Sequence, residues 1–175
     1  STAATTLPSY AAVTGADLQL SPAVVATAQI AGSLACITVR IVAAWVGGRH
    51  EGTAMLGLVA SLLAVGSIGF LLLGLQSAWT YVVGLVLAYA LGWGWNGLFN
   101  LSVTQARPTR IAAATGLTQS GVFFGGVCGP LAFVAIAGDG PFGPAWTVVA
   151  LIALASAGSL ELARRRWKRS GEITA

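Results

Sequence analysis

Four residues in the stretch Trp79–Val103 are of types that could handle a polar solute inside a membrane. Tyr89, Trp93, Asn96 and Asn100 step by four, three and four, a spacing that places them on one face of an α-helix. The asparagine amides supply hydrogen-bond donors and acceptors, and the aromatic rings supply shape. An unpaired amide in hydrocarbon costs free energy, and no charged residue lies anywhere between Trp79 and Val103. The face therefore turns away from lipid. It meets either a neighbouring helix, with the amides as inter-helix glue, or a watered solute cavity. Trp95 lies off this stripe and reads as packing. Gly92, Gly94 and Gly97 flank it and permit close contact or bending.

A second stripe, Gln29, Ser33, Cys36 and Arg40, repeats the same spacing. Arg40 is the only charge well inside any predicted span, roughly 9–13 Å from the nearer interface at helical rise. It reads either as a contact for solute or as a side chain that snorkels to the headgroups. Further on, Thr115 and Gln119 share a face, with Gln119 a third candidate for the cavity wall. Gly121, Gly125 and Gly129 recur every four residues, a small-residue groove for a neighbouring helix. Pro130 removes one backbone hydrogen bond and predicts a kink near Gly126.

Several chemistries lack their parts. His50 is the only histidine, and the two cysteines, Cys36 and Cys128, stand apart in apolar runs, so neither a metal site nor a disulfide framework is expected. The helix cores hold no Asp or Glu; if the protein uses protons or another coupling ion, the titrating group lies elsewhere. No GxxxxGK phosphate loop is present. The expectation is a protein that is not an enzyme and carries no cofactor.

The elements that must hold these stripes follow from composition. Of 175 residues, 56% are apolar and 8% charged, with a mean hydropathy of +0.82. A soluble domain carries about 25% charged residues, so an all-α polytopic membrane protein is expected. Five apolar runs, at residues 22–46, 53–75, 79–103, 111–137 and 144–163, each have enough residues to cross about 30 Å of hydrocarbon. Ser21-Pro22 and Gly143-Pro144 place proline in a first helical turn, where its missing N–H costs little. Residues 1–21 read as the outer end of a preceding helix plus an external loop, 22–163 as the five-helix segment, and 164–175 as a basic tail. The chain opens Ser1-Thr2 without a signal-peptide pattern, and reads as a fragment or a processed chain.

Loop charge sets the orientation. Arg49, Arg107, Arg110 and the cluster Arg164, Arg165, Arg166, Lys168 and Arg169 fall on alternate connections, whereas the other connections hold Asp17 and Asp139. By the positive-inside rule the basic side, with the C-terminus, faces the cytoplasm. Trp79, Tyr81 and Trp146 then fall at outer ends and Trp45 and Trp167 at inner ends, in the manner of interfacial belts. The tail reads as an inside-positive flank near anionic lipid rather than a nucleic-acid patch. Glu161 precedes Arg164 and Arg165 by three and four residues, the spacing of a helix ion pair.

Four segments resemble the major facilitator superfamily, in particular the C-terminal half of a bacterial transporter. LPSY (Leu7–Tyr10) followed by Ser21-Pro22 resembles the outer end of helix seven leading into helix eight. RIVAAWVGGRHEG (Arg40–Gly52) resembles the cytoplasmic loop between helices eight and nine, GWGWNGLFN helix ten, and TGLTQSGVFFGGVCGP helix eleven. In that gating loop Arg49 and Gly52 match the family signature, and Gly48 stands where an Asp belongs. Gly116, Gly125, Gly129 and Pro130 echo the antiporter-type motif, whose closing glycine pair is here Phe133-Val134. A register on helices two to six gives the same orientation; the degraded loop signature and the basic chain end favour the C-terminal half. The strings look most like the cyanate and nitroimidazole-type branch. The resemblance implies a partial major-facilitator fold in the cell membrane, partnered by an N-terminal helical half. It also implies transport of a small-molecule solute, with helix ten bordering the central cavity. The rival expectation is a non-transporting structural or assembly subunit.

Overall fold

The computed structural model describes residues 1–47, 53–106 and 110–173. They form α1 (Thr2–Asp17), α2 (Pro22–Gly47), α3 (Thr53–Gly74), α4 (Ala78–Leu87), α5 (Asn96–Ala106), α6 (Ile111–Ala137) and α7 (Gly143–Ile173). A π-helical turn, Ala88–Gly92, joins α4 towards α5, and together they make one membrane-length unit, helix C. No strand occurs among the described residues.

Among the described residues, five helices are long and apolar enough to cross a membrane: Pro22–Gly47, Ala54–Gly74, Ala78–Gln105, Ile111–Ala137 and Gly143–Arg169. The protein is thus an all-α, multi-pass membrane protein. Its surface agrees, since large apolar side chains stand exposed along α2 (Ile30, Leu34, Ile41) and α6 (Phe123, Phe124, Leu131), where a soluble protein would carry charge. Residues 1–21 form α1 and the connection 18–21 that leads into α2. At 16 residues α1 is about 24 Å long at helical rise.

Local chemistry explains the turns. After α1 the chain closes a Schellman cap: Gln19 is left-handed at φ 56°, its N–H donates to the Ala16 carbonyl at 2.9 Å, and the Leu20 N–H donates to that of Gly15 at 3.0 Å. Ser21 then opens α2, accepting from the Val24 N–H at 3.4 Å, with Pro22 in the first turn. Between α6 and α7 the left-handed residue is Gly138, at φ 52°. Asp17 and Asp139 line one shallow surface there, the acidic end of the bundle. Arg110 and the cluster after Glu161 mark the opposite, basic end. At that end Glu161 accepts from Arg164 at 2.6 Å and from Arg165 at 2.8 Å, the pair that the spacing predicts.

Two apolar clusters hold the helices together. Near the acidic end, Leu7, Val25, Phe70, Tyr81, Phe133 and Trp146 pack as one core. Tyr81 and Trp146 are fully buried there, which corrects their expected place in an interfacial belt. Each has a polar tip that finds a partner on α1. The Tyr81 hydroxyl donates to the Ala11 carbonyl at 2.8 Å, and the Trp146 indole donates to Thr14 Oγ1 at 2.9 Å. An aromatic with a satisfied polar tip gains more from burial than from the interface. Trp79, Trp45 and Trp167 remain exposed. The second cluster, towards the basic end, gathers Ala43, Val59, Leu63, Trp95, Leu98 and Ala157.

Candidate functional site

The spacing argument treats helix C as one continuous α-helix, and here the structure differs. Over Ala88–Gly92 the helix is wound as a π turn, and residues 93–95 are a turn before α5 begins at Asn96. A π turn bonds i to i+5, so it holds one extra residue and rotates everything after it relative to what precedes. The turn lies where helix C meets α3. A Cβ at Gly66 would stand 2.5 Å from the Gly92 nitrogen, and one at Gly69 would stand 2.5 Å from the Ala88 nitrogen. A Cβ at Gly84 would in turn lie 2.8 Å from the Gly69 carbonyl oxygen. Backbone meets backbone along this seam, which is where helix C departs from α-helical winding. Sequence reasoning missed the seam, although its signal is present: small residues at 66 and 69 face small residues at 84, 88 and 92.

The interruption splits the four-residue stripe. Tyr89 lies inside the bundle, 5% exposed, with Gly32 of α2 against its ring. Trp93 is half-buried, its ring 5.6 Å from that of Tyr89. Trp95 is buried and donates its indole N–H to the Gly92 carbonyl at 2.8 Å; its packing role is the one its off-stripe position predicts. Asn96 and Asn100, beyond the interruption, line a separate cleft.

That cleft, about 400 Å³, is bounded by Arg40 and Ala44 of α2, by Asn96, Asn100 and neighbours of helix C, and by Gln119 of α6. Three helices thus bring together four of the candidate residues. Arg40 donates from Nη2 to the Trp93 carbonyl at 3.3 Å, and its guanidinium carbon lies 5.9 Å from the centre of the Trp93 ring. Arg40 is exposed as a residue, and the Trp93 carbonyl and ring hold its guanidinium against helix C. The amides form a relay: Gln119 Nε2 donates to Asn100 Oδ1 at 3.3 Å, and Asn100 Nδ2 donates to Asn96 Oδ1 at 3.2 Å. One turn before Gln119, the Thr115 hydroxyl is buried without a partner.

Other candidates stand apart. Gln29 is half-buried and lies eleven positions before Arg40 on α2, about 16 Å at helical rise, outside the cleft. Gly125 and Gly129 receive the start of α1: a Cβ at Gly129 would lie 2.8 Å from the Thr2 carbonyl oxygen. Gly121 meets the same segment more loosely: its carbonyl accepts from the Ser1 hydroxyl at 3.5 Å, and a Cβ there would meet nothing within 4 Å. α6 continues through Pro130, whose carbonyl accepts from the Tyr10 hydroxyl at 3.2 Å. Arg49 and Gly52, the gating-loop candidates, lie outside the described residues.

A larger cleft, about 610 Å³, opens between the start of α1, α6 and α7 and is lined by residues such as Leu63, Trp95, Phe99, Leu117 and Ile152. Among the described residues its lining has hydroxyl side chains, from Thr2, Thr118, Ser156 and Ser159, but no charged side chain. No group of three or more His, Cys, Asp or Glu able to hold a metal occurs among the described residues.

Comparison with known proteins adds no relative: no family model, no curated protein and no solved structure matches the chain.

Proposed function

We propose that this chain is the C-terminal half of a secondary transporter of the major facilitator type, moving a small solute across the cytoplasmic membrane by alternating access. The observation that carries the reading is the cleft where Arg40, Asn96, Asn100 and Gln119 converge from three membrane-length helices. A broken helix beside a polar cleft is how transporters build a site inside the bilayer. Irregular backbone is tolerated there only where it is buried in protein or lines a cavity. The turn at residues 93–95 meets that condition, with a carbonyl held by Arg40.

In this reading helices α2, α3, helix C, α6 and α7 are helices eight to twelve, and α1 is the outer part of helix seven. The cleft faces an N-terminal helical half, and the two halves rock about it. Basic residues gathered at one end support a cytoplasmic C-terminus. Any coupling ion, proton or other, is carried by residues outside this segment. Arg49 and Gly52 belong to the cytoplasmic gating loop, and the chain works without cofactor, nucleic acid or covalent catalysis.

One observation favours a second reading, an assembly subunit with no solute. The relay from Gln119 through Asn100 to Asn96 ties α6 to helix C, as polar glue would. Replacing Asn96 and Asn100 with Leu in the protein as its gene encodes it separates the two. Transport predicts loss of solute flux at normal membrane abundance. Unchanged flux at normal abundance would remove the cavity reading.

A further inference from the structure

Within that proposed transport site, the donor inventory points to a ligand class. An arginine offers five N–H groups and no acceptor. Among the described residues Arg40 has one acceptor, the Trp93 carbonyl, and no carboxylate lines the cleft. The amide relay itself is balanced, because each of its two bonds uses one N–H and one oxygen lone pair and leaves donors and acceptors of Asn96, Asn100 and Gln119 in equal number. The bias of the cleft therefore comes from Arg40, and one fixed positive charge is complementary to one negative charge.

We infer that the cleft binds a small carboxylate monoanion. The forked guanidinium matches the two oxygens of a carboxylate bidentately. The Trp93 ring, 5.9 Å from the guanidinium carbon, and the Trp93 carbonyl hold Arg40 at the cleft, which Asn96 and Asn100 line from helix C. A single arginine balances a single charge, and about 400 Å³ admits a molecule the size of benzoate with its hydration partly retained. A cation would meet Arg40 with no counter-charge. A neutral amide would offer the guanidinium one carbonyl acceptor and no counter-charge, where a carboxylate offers two charged oxygens. This inference rests on the transport reading for its context, but its test does not.

The probes are sodium acetate and sodium benzoate, set against acetamide and benzamide, their neutral isosteres. Binding to the purified, gene-encoded protein in nanodiscs is measured by calorimetry and by the shift in thermal midpoint at constant ionic strength. The expected result is saturable binding of at least one carboxylate, about tenfold or more tighter than its amide. Arg40→Gln abolishes that preference and Arg40→Lys retains part of it. Arg40→Lys, with the charge kept, also shows whether the site survives substitution. Equal binding of acid and amide, no binding of either carboxylate, or an unchanged preference in Arg40→Gln would each overturn the inference. Flux is read separately in proteoliposomes. Carboxylate binding without flux supports the anion site and removes the transport reading. Flux of an uncharged solute that Arg40→Gln leaves unchanged keeps transport and overturns the anion site.

Discussion

Helix C has two sides that obey opposite rules. Against α3 it is dry and glycine-lined, and backbone approaches backbone with no room for a methyl group at Gly66 or Gly69. Beyond the break, towards α2 and α6, the same helix offers Asn96 and Asn100 to a cleft of about 400 Å³. The contrast teaches how a membrane bundle makes a site without destabilising itself. Without a hydrophobic drive between helices in lipid, close packing of small residues supplies the association. The polar side is then free to remain only partly satisfied. The π turn and the following break sit at the junction of the two sides, where they serve both: they accommodate the glycine seam and present the Trp93 carbonyl to Arg40.

Substitutions graded from seam to cleft test this contrast. The largest effect is expected for Gly66→Leu. Overpacking ordinarily costs about 1–3 kcal/mol, and here the obstacle is backbone at Gly92 rather than a side chain that could swing away. We expect little folded, monodisperse protein on size-exclusion chromatography in detergent; near-normal yield would show that the seam is loose. A smaller loss, within that same range of about 1–3 kcal/mol, is expected for Gly129→Ala, which meets the Thr2 backbone. Its partner control Gly121→Ala, which meets nothing, should stay within about 0.5 kcal/mol. Thermal unfolding of the two variants side by side checks the difference, and equal shifts would erase it. The smallest stability change among these cuts into packing or polar contact is expected for Asn96→Ala. It removes one partly exposed amide whose acceptor bond is worth about 0.6 kcal/mol in membrane proteins. A melting shift as large as that of Gly129→Ala would mean that the cleft is a packing element.

Much of the architecture is legible in the residues alone. Five spans follow from long apolar runs, the start of α2 from Ser21-Pro22, and the Glu161 pair from spacing of three and four. These are local signals, set within one helix or one turn. What escapes depends on partners far away in sequence. Nothing near Tyr81 or Trp146 announces that α1 supplies Ala11 and Thr14 to hold their polar tips, so both read as belt residues. The π turn escapes because a fixed 3.6-residue period is assumed from Tyr89 to Asn100, and the glycines that pack against it sit on α3. The grouping of Arg40, Asn96, Asn100 and Gln119 is half legible. Each residue is conspicuous as a polar group in an apolar run, yet only the packing of α2, helix C and α6 puts them in one cleft and leaves Gln29 and Tyr89 out.

The central claim, that this cleft is a watered solute path rather than a glued seam, is tested most directly by thiol accessibility at Asn100. In a Cys36→Ser, Cys128→Ser background, Asn100→Cys is treated with a membrane-impermeant maleimide from each side of sealed vesicles. An alternating-access cavity predicts labelling from both sides, slowed when transported solute is present. No labelling from either side, while an exposed control cysteine beside Trp167 reacts fully, would contradict it.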